Sequence, residues 1–333
     1  MTAPITVAWH VPVRHRDRDR MPASVWIRCL QLLPYLEHHG VRSVVNDTRT
    51  AADVAVFVRW QDARALAAAR AARRAGARVV VDLCVNYLDE TGLMPGGYGV
   101  LARHVDECRA MLDAADAVTA ASAFIARRAR EAAARVAYLP DSVDAAHFAL
   151  RKRHEPGALP VAIWCGVSVK AAELEPVLPR LHKRGIPLVV VSDARPSLSI
   201  PFEFVRWRHA GAPRDLLRGD VGIAPRDVDN AYNRGHSFFR IGVFLAQGVP
   251  VLAGPVPSYA EVLRPGDNGL VCATGDEWEA ALDALQDDRG RLARWSGAAV
   301  AAMVPYSTEA LAARYAAVFR ALCEGRPLPE GGA

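Results

Sequence analysis

The sequence predicts an α/β protein made of two doubly wound, Rossmann-like domains that face each other across a central cleft. Short aliphatic runs such as ITVAWHV and DVAVFVRW alternate with longer Ala-, Leu- and Arg-rich segments such as DARALAAARAARRAG. Aliphatic strands without polar alternation are typical of a parallel sheet that is covered on both faces. The alternation of aliphatic and helical segments stops at a polar stretch over residues 141–160 and then starts again, which indicates a second unit.

The length and composition agree with two globular units. A chain of 333 residues exceeds what one hydrophobic core usually supports, and 51% of its residues are hydrophobic. We expect a first domain of residues 1–150 and a second of residues 151–333, with the option that the last helices pack back on the first. The 41 basic and 36 acidic residues are too balanced to indicate a nucleic-acid partner.

The predicted elements follow one another in a regular order. In the first unit, aliphatic runs predict strands at 5–11, 53–60, 78–86, 115–122 and 135–140, and the segments between them predict helices at 24–40, 62–76 and 123–134. In the second unit, the same reasoning predicts strands at 161–166, 187–193, 202–207, 220–226 and 250–252, and helices at 171–185, 212–219, 238–247 and from 276 onward. Ligands of such sheets bind at the carboxyl ends of strands, so we expect functional residues in the loops that follow them.

The cysteines and the N-terminus indicate the compartment. The six cysteines are far apart and form no C-x-x-C pair, so neither a zinc site nor a disulfide framework is indicated, and we expect buried thiols in a reducing compartment. The N-terminal segment has no charged region before its short apolar run, and the sequence has no run of about 18 apolar residues. These features predict a cytoplasmic protein, with contact at the inner face of a membrane as the alternative.

One helix start carries an unusual set of polar residues. Ser237 is predicted as the N-cap of an apolar helix over 238–247, and Gly248 as its left-handed stop. Arg234, His236 and Arg240 lie within about one turn of this start, where free backbone N–H groups already attract anions. Cations at that end oppose the helix dipole unless an anion binds, so a phosphate group is the expected ligand.

Several segments together resemble one enzyme family. The stretch GVPVLAGPVPSYAEVLRPGDNGLV (248–271) is similar to the donor-binding signature of nucleotide-sugar glycosyltransferases with the GT-B fold, in their family-4-like group. ADAVTAAS, LPDSVDAAHF and PYSTEALAARYAAVF resemble further segments of that family, so the resemblance extends over essentially the whole chain. It implies an N-terminal acceptor-binding domain, a C-terminal donor-binding domain and transfer of a sugar from a nucleotide-diphosphate donor.

The resemblance also implies which residues bind the donor. The diphosphate would rest on the N-terminus of the 237–247 helix, against Ser237 and Arg240, with His236 or Arg234 beside it. Lys170, four residues beyond Gly166, matches the family's phosphate-binding lysine, whereas the usual arginine partner is missing. The remaining implied donor-binding residues are Asn233 in the N-R-x-H-S-x-x-R pattern, the backbone around Pro257, Ser258 and Tyr259, and Glu261.

One departure from the family concerns its chemistry. Members commonly have two glutamates eight residues apart before the glycine that corresponds to Gly248, and here those positions are Gly235 and Val243. The resemblance therefore does not decide between retention and inversion at the sugar. It also leaves open a non-catalytic protein that binds a nucleotide sugar or a partner enzyme, and an epimerase that acts on the nucleotide sugar itself.

No metal or cofactor is expected besides the nucleotide sugar. Two Asp-x-Asp pairs, Asp17 with Asp19 and Asp227 with Asp229, have the form that metal-dependent transferases use, but both lie among basic residues in loops. Cations placed near a leaving diphosphate stabilise its developing charge without a metal ion.

The loop after the first strand is the candidate acceptor site. It contains four arginines, which are either a solvated charged loop or a site for an acidic or phosphate-bearing acceptor. His10 and His15 are either candidate general bases, if the enzyme inverts the sugar, or structural or exposed residues. Asn86 follows another strand and is either a candidate acceptor contact or a helix N-cap. The four arginines are Arg14, Arg16, Arg18 and Arg20. The segment PGGYG (95–99) is predicted to be a loop.

Overall fold

The computed structural model describes residues 4–12, 18–19, 21–94, 97–155, 157–288 and 290–329, and these contain two six-stranded parallel sheets. The first sheet has the order β2-β1-β3-β4-β7-β8 and the second the order β11-β10-β9-β12-β13-β14. The first comprises β1 (Ile5–His10), β2 (Val41–Val45), β3 (Val54–Val58), β4 (Arg78–Leu83), β7 (Ala117–Ala120) and β8 (Val136–Tyr138). The second comprises β9 (Ala162–Cys165), β10 (Leu188–Ser192), β11 (Glu203–Arg206), β12 (Val221–Ala224), β13 (Val251–Ala253) and β14 (Gly269–Val271). A separate antiparallel hairpin joins β5 (Gly92–Met94) to β6 (Tyr98–Val100).

Helices connect the strands and cover the sheets. Those before the second sheet are α1 (Ala23–Val25), α2 (Leu33–His38), α3 (Ala63–Arg74), α4 (Ala102–Ala114) and α5 (Ala123–Arg130). The later ones are α6 (Leu178–Lys183), α7 (Ala212–Asp215), α8 (Ala231–Arg234), α9 (Phe239–Ala246), α10 (Gly275–Asp287), α11 (Arg291–Met303) and α12 (Thr308–Cys323). A π-helix covers Trp26–Leu30, and 3₁₀ helices cover Ser168–Leu174, Leu216–Arg218, Pro257–Glu261 and Val304–Tyr306.

Each sheet has a buried hydrophobic cluster on both of its faces, which explains why its strands are aliphatic throughout. The last helix, α12, belongs to the core of the first sheet although it follows the second in sequence. Its Phe319 ring lies 5.9 Å from the ring of Trp9 in β1, edge to face. These two covered parallel sheets confirm the predicted doubly wound fold class.

Two of the predicted helices are not continuous α-helices. The helix predicted at 171–185 is a 3₁₀ helix followed by α6, because Pro176 and Pro179 cannot donate the hydrogen bonds of a continuous helix. The helix predicted at 24–40 contains the π-helix Trp26–Leu30. Within it lies Arg28, which is 1% exposed and pairs with Asp82 of β4 through two hydrogen bonds of 3.0 and 2.6 Å.

Some elements differ from the prediction. Strands β2 and β14 and the β5–β6 hairpin were not predicted from the aliphatic pattern. The loop predicted at 95–99 is wrong for Tyr98 and Gly99, which lie in β6; Pro95 and Gly96 are outside the described residues. Gly99 has a φ of +149°, and a Cβ there would lie 2.0 Å from the carbonyl oxygen of Gly92, so only glycine allows this hairpin to close.

Two further observations bear on the expected compartment. The six cysteines are free, but the expectation of buried thiols is wrong for Cys323, which is exposed as the last residue of α12. Among the described residues, no helix is both long enough and apolar enough to span a membrane.

Candidate functional site

The start of α9 lies at the carboxyl ends of the strands of the second sheet. The helix begins at Phe239, so the prediction of Ser237 as its N-cap is wrong by one residue: Phe238 occupies that position, without a side-chain cap. Ser237 still caps the helix locally, because its Oγ accepts a hydrogen bond from the backbone N–H of Phe239 at 3.2 Å. The same hydroxyl donates to the buried carboxylate of Asp141. The helix ends as predicted, with Gly248 at a φ of +78°.

A single carboxylate organises the cations near this helix. Glu173 forms ion pairs with Arg240 of α9 and, at 3.1 Å, with Arg226, which follows β12. It also accepts a 2.9 Å hydrogen bond from Nε1 of Trp164, and the Arg240 guanidinium lies 5.3 Å from the centre of the Trp164 ring. Arg240 is thus held in place by a carboxylate and an aromatic ring at the end of β9.

Arg226 is buried without enough partners. The residue is only 2% exposed, and its Nη1 donates to Oδ1 of Asn233 at 2.9 Å. Its Nε has no hydrogen-bond acceptor among the described residues, and its Nη2 meets Glu173 as an ion pair without hydrogen-bond geometry. An unpaired buried guanidinium N–H is costly, so this arrangement favours an anionic ligand.

Lys170 lies between these arginines and the first half of the chain. Its Nζ donates to the Tyr232 hydroxyl at 3.1 Å and lies 4.7 Å from the centre of the Tyr98 ring in the β5–β6 hairpin. Burial, followed by the charges of Arg226, Arg240 and a further arginine, lowers the pKa of Lys170 to about 6. This pKa is lowered first by burial and then by neighbouring positive charges, and no carboxylate among the described residues offsets them, so an arriving anion would favour the protonated lysine.

His236 and Arg234 differ from the expected pair of cations. The Nε2 of His236 lies 3.5 Å from Nζ of Lys170, and burial together with Arg226 and Lys170 holds its pKa well below the usual range. His236 is therefore neutral near pH 7. Arg234 is exposed and lies over the ring of Phe124 in α5, 5.9 Å from its centre, so it takes no part in the cluster. The expectation of three cations at this helix start holds only for Arg240.

The predicted residues around 257–261 are mostly occupied by protein contacts. The Ser258 hydroxyl donates to the backbone oxygen of His236 at 2.6 Å, and the backbone N–H of Tyr259 donates to Val256 at 2.9 Å. Glu261 accepts a hydrogen bond from the hydroxyl of Tyr138, which lies in β8 of the first sheet. Pro257 begins this 3₁₀ helix and has no N–H to offer a ligand.

Gly166 lies directly beside the cluster, at the end of β9. A Cβ at this position would lie 2.5 Å from the Trp164 ring and 3.1 Å from Nη2 of Arg240. Glycine here lets the chain pass close to the Trp164 ring and the Arg240 guanidinium. Its role in donor binding stays a prediction.

Packing explains why Gly235 and Val243 are not glutamates. Val243 is 5% exposed and belongs to the hydrophobic cluster beneath the second sheet. Gly235 lies against the first half of the chain: a Cβ there would lie 2.8 Å from the Cβ of Asn86 and 3.3 Å from Ile125. Its carbonyl accepts a 3.0 Å hydrogen bond from Ser122. No longer side chain fits at this contact.

We expect Gly235→Ala to destabilise the protein by about 1–3 kcal/mol, because the added methyl group would lie only 2.8 Å from the Cβ of Asn86. Urea unfolding measures the change. Gly297→Ala is the matched control, since Gly297 lies within α11 with nothing within 4 Å of an added Cβ. That variant should be neutral or slightly more stable. Equal stability of the two variants would contradict the prediction.

The predicted acceptor residues are only partly described. Asn86 is fully buried, and its amide donates to Asp89 at 2.9 Å and to the carbonyl of Ala231 at 3.2 Å. It therefore joins the two halves and has no free N–H for an acceptor. Arg18 stacks on Trp26, 4.3 Å from its ring centre. Arg14, His15, Arg16 and Arg20 lie outside the described residues.

His10 is an enclosed residue at the end of β1. It is 6% exposed, its ring stacks on Phe57 at 4.6 Å, and burial lowers its pKa. The imidazole is neutral near pH 7, which is the form that a general base requires, and its role stays a prediction.

The described residues contain no group of three or more His, Cys, Asp or Glu side chains that could hold a metal ion. Asp19 accepts hydrogen bonds from the backbone of His209 and from Arg208, and Asp227 accepts one from the backbone of Asp229. Asp17, the partner of Asp19 in its pair, is outside the described residues.

Comparison with known proteins gives a fold and no sequence family. No protein-family model matches the chain, and no curated protein matches it significantly. Among solved structures, a sucrose-phosphate synthase from Thermosynechococcus elongatus matches with a TM-score of 0.72 and 11% identity, over 96% of this chain and 100% of that one. Anabaena HepE in complex with UDP-glucose matches with a TM-score of 0.64 and 14% identity, over 94% and 98%.

A third match is the catalytic domain of starch synthase IV from Arabidopsis thaliana, bound to ADP and acarbose, with a TM-score of 0.66 and 9% identity over 97% and 100%. These full-length matches decide the architecture. The chain has the GT-B fold. In the GT-B fold of this chain, the cationic cluster lies where the second sheet faces the β5–β6 hairpin of the first half.

Four residues of this site were not predicted. Arg226 lies within electrostatic reach of Lys170, and its position after β12 fits the rule that sites follow strands. Glu173 lies three residues beyond Lys170, but its partners are 53 and 67 residues away in sequence. Asp141 and Tyr98 reach the site from the first half and its connecting segment, which no local pattern indicated.

Proposed function

We propose that this chain is a glycosyltransferase that moves a sugar from a nucleotide-diphosphate donor to an acceptor without a metal ion. The observation that carries the proposal is the cluster of Arg226, Arg240 and Lys170 around one carboxylate, Glu173. The cluster has more positive than negative groups, and Arg226 has an unsatisfied buried N–H. A diphosphate supplies both the charge and the acceptor oxygens that this arrangement lacks.

The geometry suits departure of a diphosphate. Negative charge grows on the leaving group as the sugar–oxygen bond breaks, so cations that are already in place stabilise the transition state more than the ground state. Glu173 and Trp164 fix Arg240, and Asn233 fixes Arg226, before any ligand arrives. Little reorganisation is then needed during the reaction.

Two of the structural neighbours support a nucleotide donor. HepE was solved with UDP-glucose and starch synthase IV with ADP, and both share the fold of this chain over nearly its full length. We therefore propose a nucleotide sugar as the donor, a cytoplasmic location, and at most a peripheral contact with the inner face of a membrane. If the reaction inverts the sugar, His10 is the candidate base.

A thermal-shift panel of UDP, GDP, dTDP, ADP and CMP tests the donor site, because a ligand that binds the native state stabilises it by mass action. At least one nucleoside diphosphate should raise Tm, and Arg240→Ala should lower donor turnover by about 10- to 100-fold. Arg218→Ala is the control, since Arg218 is an exposed arginine of the same half that pairs with Glu203. No shift from any nucleotide would refute the donor site.

A second candidate function is a non-catalytic nucleotide-sugar binder. Gly235 and Val243 favour it, because neither position can provide the carboxylates that catalytic relatives commonly have, and both are sterically fixed. Nucleotide binding with neither sugar transfer nor donor hydrolysis would identify this candidate. Turnover that falls by about 10- to 100-fold in Arg240→Ala would exclude it.

A further inference from the structure

Arg59 adopts an unusual backbone conformation at the carboxyl end of β3, an interior strand of the first sheet. It directly follows β3, and its φ is +56°; in the described residues, Asn46 is the other non-glycine residue with a positive φ. A long side chain in the left-handed region costs free energy, and such residues cluster at ligand sites where the surrounding structure holds them. The carboxyl end of a parallel strand is also where such sheets bind ligands.

The surroundings of Arg59 contain hydroxyl and thiol groups but no carboxylate partner. Its Nη1 donates to the hydroxyl of Ser24 at 3.2 Å. Burial lowers the pKa of Arg59, whereas the nearby Tyr87, Cys84 and Tyr232 raise it. Among the described residues, Arg59 forms no ion pair with an aspartate or glutamate. An arginine that is held in place by a hydroxyl, with no carboxylate partner among the described residues, is suited to an external anion.

Arg59 also faces the donor cluster from the opposite half of the chain. Its positive charge contributes to the lowered pKa of Lys170, which places the two side chains within electrostatic reach. Lys170 is within electrostatic reach of Arg59, Arg226 and Arg240, and the carboxylate of Glu173 pairs with the last two. With Lys170 protonated, these groups carry four positive charges and one negative charge. The two charges of a nucleotide-sugar diphosphate would leave one positive charge uncompensated.

We infer that Arg59, with the Ser24 hydroxyl, binds a phosphate or carboxylate group on the acceptor, so that the acceptor is an anionic sugar or sugar derivative. The planar guanidinium matches either anion through two parallel hydrogen bonds. Arg226 and Arg240 belong to the second half and form ion pairs with Glu173. Arg59 belongs to the first half and hydrogen-bonds to Ser24 instead. Assigning this ligand as the acceptor rests on the proposed function. The anion subsite itself does not depend on that function.

Three sugars that differ only at C6 test the inference: glucose, glucose 6-phosphate and glucuronate. Isothermal titration calorimetry at low salt should show that the wild type binds at least one of the anionic sugars about tenfold or more tightly than glucose. The better anion distinguishes a phosphate from a carboxylate ligand. Arg59→Gln should reduce this preference to about twofold or less, and Arg59→Lys should retain part of it.

The control is Arg70→Gln, which removes an exposed arginine from α3 in the same half and should keep the full preference. Circular dichroism and Tm of each variant exclude misfolding. Equal or absent binding of the three sugars, or an undiminished preference in Arg59→Gln, would overturn the inference.

Nucleotide binding by the same variants separates the two proposals. Arg59→Gln should change the Kd of the nucleotide found by the panel by less than about twofold, because Arg59 lies outside the Glu173 cluster. A tenfold loss would assign Arg59 to the donor site and overturn the inference. A preference for anionic sugars without any nucleotide binding would refute the donor proposal while the subsite stands.

Discussion

Replacing Arg226 with methionine should weaken nucleoside-diphosphate binding by roughly 10- to 100-fold, which corresponds to about 1.5–3 kcal/mol for lost charge-assisted hydrogen bonds. Arg226 is 2% exposed, and its Nε has no acceptor among the described residues. A bound diphosphate would provide an acceptor oxygen for this N–H group. Methionine has a similar length and no charge, so the loss reports the guanidinium. Isothermal titration calorimetry with the nucleotide identified by the panel measures Kd.

Two further variants define the cause of that loss. Asn233→Ala removes the 2.9 Å hydrogen bond that orients Arg226 but keeps its charge, so we expect a smaller loss of about two- to fivefold. Arg218→Met removes an exposed arginine and should leave Kd unchanged. A Kd for Arg226→Met within twofold of the wild type would show that the buried guanidinium does not contact the ligand.

The fold could be predicted because its signals are local. Each predicted strand is a run of aliphatic residues, and such runs form parallel strands that are buried on both faces. The α9 helix was predicted from its apolar residues and from Gly248, whose left-handed conformation ends it. The β5–β6 hairpin escaped prediction because its short strands have no aliphatic run and depend on the close approach of Gly99 to Gly92.

The candidate site was harder to predict because its contacts join distant parts of the chain. Arg240 and Lys170 were identified as donor-binding candidates, and the structure brings both into one cluster. Arg234 was expected beside them, but α8 ends at this residue and Gly235 turns the chain, so the side chain points to Phe124. Whether a charged residue near a helix start faces the ligand depends on such turns, which sequence spacing does not define.

Replacing Lys170 with methionine should stabilise the ligand-free protein while it abolishes tight binding of the nucleotide sugar. The pKa of Lys170 is about 6 in the folded protein, against an ordinary value of 10.5. Below pH 10.5 the unfolded chain binds a proton that the folded protein does not, so this lysine costs stability, and the cost grows until pH 6. At pH 7 the gain from removing it is on the order of 2–4 kcal/mol, visible as a higher Tm.

The same lysine couples donor binding to pH. A bound diphosphate favours the ammonium form, so above pH 6 binding should take up a proton. Affinity should therefore fall as pH rises from 6, by up to about tenfold per unit, and be nearly constant just below 6. The ligand should be a nucleotide sugar, because its diphosphate diester does not titrate in this range and the proton then belongs to the protein.

Calorimetry at pH 8 in two buffers of different ionisation enthalpy measures the proton uptake. We expect about one proton for the wild type and none for Lys170→Met. The control is Lys183→Met, which removes an exposed lysine at the end of α6 and should leave both proton uptake and Tm unchanged. Proton uptake that persists in Lys170→Met would contradict the prediction and identify His236 as the titrating group. The neutral ring of His236 lies 3.5 Å from Lys170, so a bound anion would favour its protonation too.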